Sequence, residues 1–203
     1  DGAFKVAAVF QTAKQWPMKA ALISKWGWLP GQASYEMGTA ADRRVYFKIS
    51  PTGNAEDQVE VLSSSRAELE KPIVVTAVFD PGKRITLYIN GEKDAEQTCG
   101  LPEECFDGSA PVRLGLRFEG LLAKVRFDDR ALPETDISQA HQELLKLIPE
   151  GVPFEKWTAV KKRDIIRKEP DYLGTTPGMK LVKEIDISPY KGSYVCPGDL
   201  DND

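Results

Sequence analysis

The chain has 203 residues, 41% of them hydrophobic, and a formal net charge of -4. This length suits one sizeable β domain with an appendage, or two small domains. No stretch is uniformly basic, which argues against a nucleic-acid-binding surface. No apolar run approaches the length of about 20 residues that is needed to span a bilayer, so we expect no membrane insertion. Because the chain starts at Asp1 without Met, we interpret it as a mature or excised part of a larger protein or assembly.

Short strands are predicted along the first part of the chain. Segments that contain Gly, Pro, Asn or Asp separate the predicted strands. The predicted strands are Phe4–Phe10, Ala20–Lys25, Ser34–Thr39, Val45–Ser50 and Gln58–Ser63. A turn around Asp42-Arg43 joins the third strand to the fourth.

Residues 73–95 contain the clearest β pattern. Apolar residues dominate up to Phe79, and Asp80-Pro81-Gly82 then predicts a turn. Apolar and polar residues alternate from Arg84 to Ile89, which predicts a half-buried strand. Asn90-Gly91 follows, and both residues tolerate the positive φ angles of a type I′ hairpin turn.

Two further strands, Val112–Phe118 and Leu121–Phe127, are predicted to form a hairpin across Glu119-Gly120. Short strands at regular spacing, with hardly any helix between them, indicate an all-β fold of two antiparallel sheets. We assign residues 1–133 to this β-sandwich.

Residues 134–203 form a second region, predicted to be a helical and extended appendage. Thr135 is a plausible N-cap for a helix that extends to Leu147 with one apolar face. A further helix is predicted at Glu155–Lys168, and Lys180–Ile187 alternates like a strand. We expect this region to pack on the sandwich or complete it. The alternative is a partly ordered linker.

Cys99 and Cys105 bound a short loop, CGLPEEC, that contains Gly and Pro. Such a loop can bring two Cα atoms within disulfide distance, so one prediction is a Cys99–Cys105 bridge with Cys196 free. A bridge would favour an oxidising compartment. The alternative is three reduced thiols in a cytosolic protein. His141 is the single histidine, which argues against zinc sites with several histidines and against histidine-based relays.

Four segments together resemble laminin G-like, concanavalin A-like jelly-roll domains. The segments are FKVAAVFQTAKQWPMKAALISK, SYEMGTAADRRVYFKIS, IVVTAVFDPGKRITLYINGEKDA and VRLGLRFEGLLAKVRFDDRALPETDI, in that order. The resemblance covers about residues 4–138. It implies a jelly-roll sandwich in which one of the two sheets is usually concave.

The sequence differs from this family in two places. Ala123 occupies a position where many relatives carry an acid near a calcium site, so the resemblance leaves calcium open and implies no other cofactor. Relatives usually have a strand before the one that starts at Phe4, and the chain has no room for it. Since an unpaired edge is a liability, we expect Lys180–Ile187 to fill that place.

The loop WGWLPGQ is the candidate ligand site. Exposed indoles stack on the apolar faces of sugar rings, and Trp26 and Trp28 are separated only by Gly27. Tyr35, Asp42, Arg43 and Arg44 are close in sequence and could add hydrogen bonds. The alternative is that one or both Trp side chains cover the end of the sandwich or anchor the C-terminal segment.

The resemblance implies a non-catalytic carbohydrate-binding or adhesion module of a secreted or cell-surface protein, with a glycan or polysaccharide as partner. The expected location is extracellular, periplasmic or cell surface. One alternative is a structural or protein-interaction domain of a larger multidomain protein. A third is a polysaccharide-cleaving enzyme. Glu184 and Asp186 match part of a jelly-roll glucanase pattern, but its final glutamate is absent, so no catalytic residue is assigned.

Overall fold

The computed structural model describes residues 2–12, 19–131, 133–145 and 185–186, and all structural statements concern these residues. Eleven strands are described, together with a short 3-10 helix at Ala55–Asp57 and the helix α1 at Glu134–Leu145. The strands are β1 (Phe4–Thr12), β2 (Ala20–Lys25), β3 (Tyr35–Thr39), β4 (Val45–Ile49), β5 (Val59–Leu62), β6 (Pro72–Asp80), β7 (Arg84–Ile89), β8 (Glu92–Gln97), β9 (Arg113–Leu116), β10 (Gly120–Asp128) and β11 (Ile185–Asp186).

The strands form two antiparallel sheets. The first has the order β11-β10-β1-β6-β7-β8, and the second has the order β5-β4-β3-β2-β9. Alternate residues of both sheets enter one shared apolar core. This arrangement confirms the predicted all-β, two-sheet jelly-roll sandwich.

Phe4 lies at the centre of that core. Its ring centroid is 5.5 Å from that of Phe79 on β6 and 6.1 Å from that of Phe47 on β4. Phe79 belongs to the same sheet as Phe4, whereas Phe47 belongs to the opposite sheet. Aromatic pairs at these separations add stability beyond the area they bury, so Phe4 helps hold the two sheets together.

The predicted hairpin around Asn90-Gly91 is confirmed, since β7 pairs with β8 across this turn. Asn90 has φ 53° and Gly91 has φ 83°, as a type I′ turn requires. The strand β8 itself, EKDAEQ, was not predicted because it is polar on both faces. It forms the edge of its sheet, where no second layer demands apolar alternation.

The predicted hairpin between Val112–Phe118 and Leu121–Phe127 is wrong. β9 pairs with β2 in one sheet, whereas β10 pairs with β1 in the other. The chain crosses between the layers at Arg117, which has φ 60°, and Phe118 inserts into the core edge-on to Phe10 at 5.7 Å. Because Phe118 is buried in the core, the chain passes from one sheet to the other here, and the two strands do not form a hairpin.

The helix α1 covers the outer face of the six-stranded sheet. Ile137 packs with Val78 and Tyr88. Leu144 joins a second cluster that includes Val9 and Ala123. Because Ala123 is buried beneath an apolar helix face, an acid at this position would lose its hydration without gaining a partner.

The strand β11 lies within the predicted strand Lys180–Ile187. Ile185 and Asp186 pair with Val125 and Lys124 of β10, at the edge of the six-stranded sheet. The rest of that predicted strand, the predicted helix Glu155–Lys168 and Cys196 lie outside the described residues. In the described part of the chain, no helix is long and apolar enough to cross a membrane.

His141 connects α1 to the β7–β8 turn. The side chain is 7% exposed, and its ring occupies the space beside Gly91, where an added Cβ would lie 2.9 Å from ring atoms. The Nδ1 atom is buried without a hydrogen-bond partner. Burial lowers the pKa of His141, and the Glu92 carboxylate opposes this shift only in part.

We expect the free energy of unfolding to fall as the pH drops below about 6.5, the ordinary pKa of histidine. Between that value and the lowered pKa of folded His141, the unfolded chain binds more protons than the folded chain. Urea unfolding at neutral and mildly acidic pH measures the loss. The variant His141→Gln should lose less stability over the same interval. An equal loss in both proteins would contradict the assignment.

Candidate functional site

A row of polar side chains crosses the outer face of the five-stranded sheet. The registers place Arg113, Ser24, Glu36, Lys48 and Glu60 directly opposite one another on five neighbouring strands. Residues directly opposite in antiparallel strands share a face, so these side chains can interact across the sheet. The intervening residues of β3 and β4 enter the core.

Glu36 is the centre of this row. Its carboxylate accepts hydrogen bonds from Ser24 Oγ at 2.7 Å and Tyr46 OH at 2.8 Å, and it pairs with Lys48 Nζ at 3.2 Å. Burial, with a contribution from the Glu36 carboxylate, raises the pKa of Tyr46, so its hydroxyl keeps the proton that it donates. Burial lowers the pKa of Lys48, and Glu36 opposes this shift.

Lys48 also contacts the loop that follows β2. Its Nζ lies 3.9 Å from the centroid of the Trp26 ring and 5.9 Å from that of Trp28, both within cation–π range. Trp26 is 4% exposed, whereas Trp28 is 83% exposed. The two indoles therefore differ in role: Trp26 packs beneath the lysine, and Trp28 faces solvent.

The loop that displays Trp28 is closed by its own backbone. Gly27 N donates to Gln32 O at 3.2 Å, and Gln32 N donates to Leu29 O at 3.1 Å. Pro30 and Gly31 occupy the central positions of this second turn, and Gly31 has φ 77°, which fits a type II turn. The backbone that carries Trp28 thus has a defined conformation.

Two neighbouring loops support this one. Ala33 N donates to Gly53 O at 3.0 Å, and Ser109 N donates to Gly31 O at 2.9 Å. Phe106 lies against Gly53, where an added Cβ would be 2.7 Å from its ring. We define the apolar platform as Trp28, Leu29 and Phe106, of which Leu29 is 65% and Phe106 is 36% exposed. Beside it, Lys25 Nζ pairs with Asp107 at 2.9 Å.

Comparison with known proteins supports this description of the fold. The family model of the concanavalin A-like lectin/glucanases superfamily matches residues 2–138. The chain belongs to that superfamily. A search of curated proteins found no match.

Solved structures of the superfamily fold are similar to this chain at low identity. One is the binding domain of Paraclostridial Mosquitocidal Protein 1, with 12% identity and a TM-score of 0.53 over 70% of this chain and 37% of that one. This chain thus spans about a third of that structure. Another is the Ruminococcus gnavus IT-sialidase CBM40 bound to alpha2,3 sialyllactose, with 15% identity and a TM-score of 0.59 over 69% and 83%. A third is the native heptameric SAP-like pentraxin from Limulus polyphemus, with 16% identity and a TM-score of 0.50 over 69% and 70%. At these identities the likeness shows the fold alone.

Of the six predicted ligand-binding residues, only Trp26 and Trp28 lie in the loop that follows β2. Tyr35 points into the core, where its ring centroid is 5.2 Å from that of Phe127. The β3–β4 turn contains Asp42, Arg43 and Arg44. It lies at the opposite end of β3 from the tryptophan loop, about 15 Å away, because the strand has five residues.

The turn at Asp42 is held by its own contacts. Arg44 Nε donates to Asp42 Oδ2 at 2.6 Å, and this bond lowers the pKa of Asp42. Arg43 has φ 70°, and Arg66 Nε donates to the backbone carbonyl of Asp42 at 3.1 Å. Asp42 and Arg44 therefore have partners within the turn itself.

Sequence reasoning missed Ser24, Glu36, Tyr46 and Lys48. The available signal was the alternation of the strands: Glu36 lies between Tyr35 and Met37, and Lys48 lies between Phe47 and Ile49. Period-two alternation puts such residues on the face opposite the core. Cross-strand register, which sequence alone does not provide, is what joins them into one cluster.

The predicted Cys99–Cys105 bridge is not formed, and both residues carry free thiols. Cys105 Sγ lies 3.5 Å from the carbonyl oxygen of Ser34, whereas Cys99 is exposed on the loop after β8. Because the two side chains face different surroundings, their closeness in sequence does not bring the sulfur atoms together. Burial raises the pKa of the Cys105 thiol to about 11.

No cluster of three or more His, Cys, Asp or Glu side chains suited to a metal ion occurs within residues 2–12, 19–131 and 133–145. A cavity of about 400 Å³ lies at the Arg43 end of the sandwich. Arg66, Lys71 and Lys93 line it together with Glu68, Glu92 and Asp94, so it carries both signs of charge.

Replacement of Lys48 by Met should destabilise the fold by about 3 kcal/mol, because the Glu36 carboxylate would remain buried without its cation. Urea unfolding measures this loss. The double variant Lys48→Met/Glu36→Gln should be more stable than the sum of the two single effects predicts. Lys71→Met is the matched control, since its pair with Glu68 is exposed at both ends, lies away from the Glu36 cluster and should contribute less than about 1 kcal/mol. Additive effects at Lys48 and Glu36 would contradict the buried pair.

Cys99 should react with iodoacetamide near neutral pH much faster than Cys105, because the buried Cys105 thiol is almost fully protonated there. Peptide mapping by mass spectrometry on the folded and urea-unfolded chain measures both rates, and unfolding should remove the difference. A Cys99–Cys105 disulfide in a non-reducing peptide map would overturn the free-thiol arrangement.

Proposed function

We propose that this chain is a non-catalytic carbohydrate-binding module whose ligand stacks on Trp28. The observation that carries the proposal is the 83% exposure of Trp28 on a loop closed by backbone hydrogen bonds. A large aromatic side chain that is already held in place loses little conformational entropy when a ligand binds. Stacking on the C–H face of a sugar ring suits an indole displayed in this way.

Membership of a lectin and glucanase superfamily supports this ligand class. Two of the similar structures are named as binding domains or carbohydrate-binding modules. A location outside the cytoplasm is part of the proposal and rests on this family membership. The free thiols of Cys99 and Cys105 add no support for an oxidising compartment.

The carboxylates on the outer face favour binding over catalysis. A glycosidase needs two carboxyl groups free to act on a bond between them. Glu36 is held by Ser24, Tyr46 and Lys48, and Glu60 pairs with Lys19. These contacts suit a structural role for both acids.

A protein-interaction domain is the second candidate. Leu29 and Phe106 extend the exposed apolar area beyond one indole, and exposed apolar patches also mark protein interfaces. A glycan ligand requires only stacking and a few hydrogen bonds, whereas a stable protein interface requires at least about 1,000 Å² of buried surface. The superfamily membership supports the glycan as the first candidate.

The variant Trp28→Ala should reduce glycan affinity at least about tenfold, the effect typical of a central aromatic contact. A glycan array identifies ligands of the wild-type chain, and calorimetry then compares the variants. Leu116→Ala is the control, because Leu116 is 41% exposed but lies at the far end of β9. Thermal unfolding should show that both variants are folded. No glycan signal from the wild type, or an unchanged affinity for Trp28→Ala, would reject the proposal.

A further inference from the structure

We propose that the apolar platform binds the flat face of a neutral polysaccharide chain, and not an acidic or terminal sugar. This inference rests on the proposed function and names its ligand class. It follows from two properties of the platform: its polar neighbours are already paired, and its exposed surface is apolar and open.

The charged groups nearest to Trp28 are engaged within the protein. Lys48 pairs with Glu36 at 3.2 Å, and Lys25 pairs with Asp107 at 2.9 Å. Arg113 Nη1 donates to the carbonyl oxygen of Trp26 at 3.3 Å. A sugar carboxylate or sulfate that binds Lys48 would have to compete with Glu36, and one that binds Lys25 would have to compete with Asp107. For Lys48 this would leave the buried Glu36 carboxylate without its cation, which is strongly unfavourable.

The polar groups of the loops are also occupied. Ser109 Oγ donates to Gly31 O at 3.2 Å, and Ser34 Oγ lies 3.7 Å from Cys105 Sγ. Recognition of a terminal sugar depends on several polar groups that converge on its hydroxyls. Two hydroxyl groups that could do so here, those of Ser109 and Ser34, already have partners inside the protein.

The apolar side chains, in contrast, face solvent on two different loops. Trp28 and Leu29 belong to the loop after β2, and Phe106 belongs to the loop before β9. Gly53 lies between the two loops, since a Cβ added to it would be 2.7 Å from the Phe106 ring and 2.9 Å from the Cα atom of Gly31. A surface of this kind fits a ligand with a continuous row of C–H groups, which equatorially linked neutral polysaccharides such as β-1,4-glucans present along their length.

The backbone contacts of the platform also favour an extended ligand. The three loops are cross-linked by hydrogen bonds from Ala33 to Gly53, from Ser109 to Gly31 and from Phe106 to Ser50. They therefore need not close around a sugar to bind it. An extended chain can contact Trp28 and Phe106 at once, and its affinity then comes from stacking on both rings.

The test uses the intact 203-residue chain. Binding is measured by depletion from solution onto insoluble cellulose, chitin and β-mannan, and by calorimetry with sialyllactose and oligogalacturonate as acidic probes. We expect binding to at least one neutral polymer and none to the acidic probes. The affinity should change little between low and high salt, because no ion pair forms with the ligand.

The variants locate the contact. Trp28→Ala and Phe106→Ala should each weaken binding to the neutral polymer about tenfold, and Trp28→Tyr should retain part of it. Leu116→Ala should bind like the wild type. Thermal unfolding should show that each variant is folded.

Two outcomes would overturn the inference in distinguishable ways. Salt-sensitive binding of an acidic probe that Trp28→Ala abolishes would reject the neutral ligand but keep the carbohydrate-binding function. Absence of binding to every glycan would reject both, and would favour a protein partner. Neutral binding that survives Phe106→Ala and Trp28→Ala would reject the platform as the site.

Discussion

The carboxylate of Glu36 carries a negative charge inside the protein, so its three donors must stay in position to compensate for lost hydration. Ser24 comes from β2, and Tyr46 and Lys48 come from β4, so this compensation fixes three strands relative to one another. Gly38 belongs to the same arrangement. An added Cβ there would clash with the backbone oxygen of Ala20 and lie 2.7 Å from the Tyr46 hydroxyl oxygen, so only glycine fits between β2 and that donor.

Lys48 extends this arrangement from the sheet to the loop. The same ammonium that neutralises Glu36 lies over the Trp26 ring and near Trp28. The exposed indole of Trp28 therefore lies next to the Lys48–Glu36 pair, which the sheet holds in position. A binding residue supported by rigid elements is placed more accurately than one on an unsupported loop.

Local patterns were enough to predict most of the fold. The strands β1 to β7 follow from short runs bounded by turn residues. Asn90-Gly91 defines its turn because few other residues accept two positive φ angles. The corner at Phe118 could not be predicted, since a Gly-containing turn between two apolar runs has the same pattern whether or not the strands pair. For the site, closeness in sequence was misleading: Asp42 to Arg44 follow β3 directly, but a strand carries them to its far end. The cluster of Ser24, Glu36 and Lys48 could be assembled only from the register of three strands.

The position of α1 has a consequence for how the module would work beside another domain. The helix covers the outer face of the six-stranded sheet, whereas Trp28 extends from a loop of the five-stranded sheet. Helix α1 thus lies on the layer opposite the one that supports the platform. A partner domain on the α1 side would leave the platform open to its proposed ligand, and tethering alone would raise the effective concentration of that domain near the ligand.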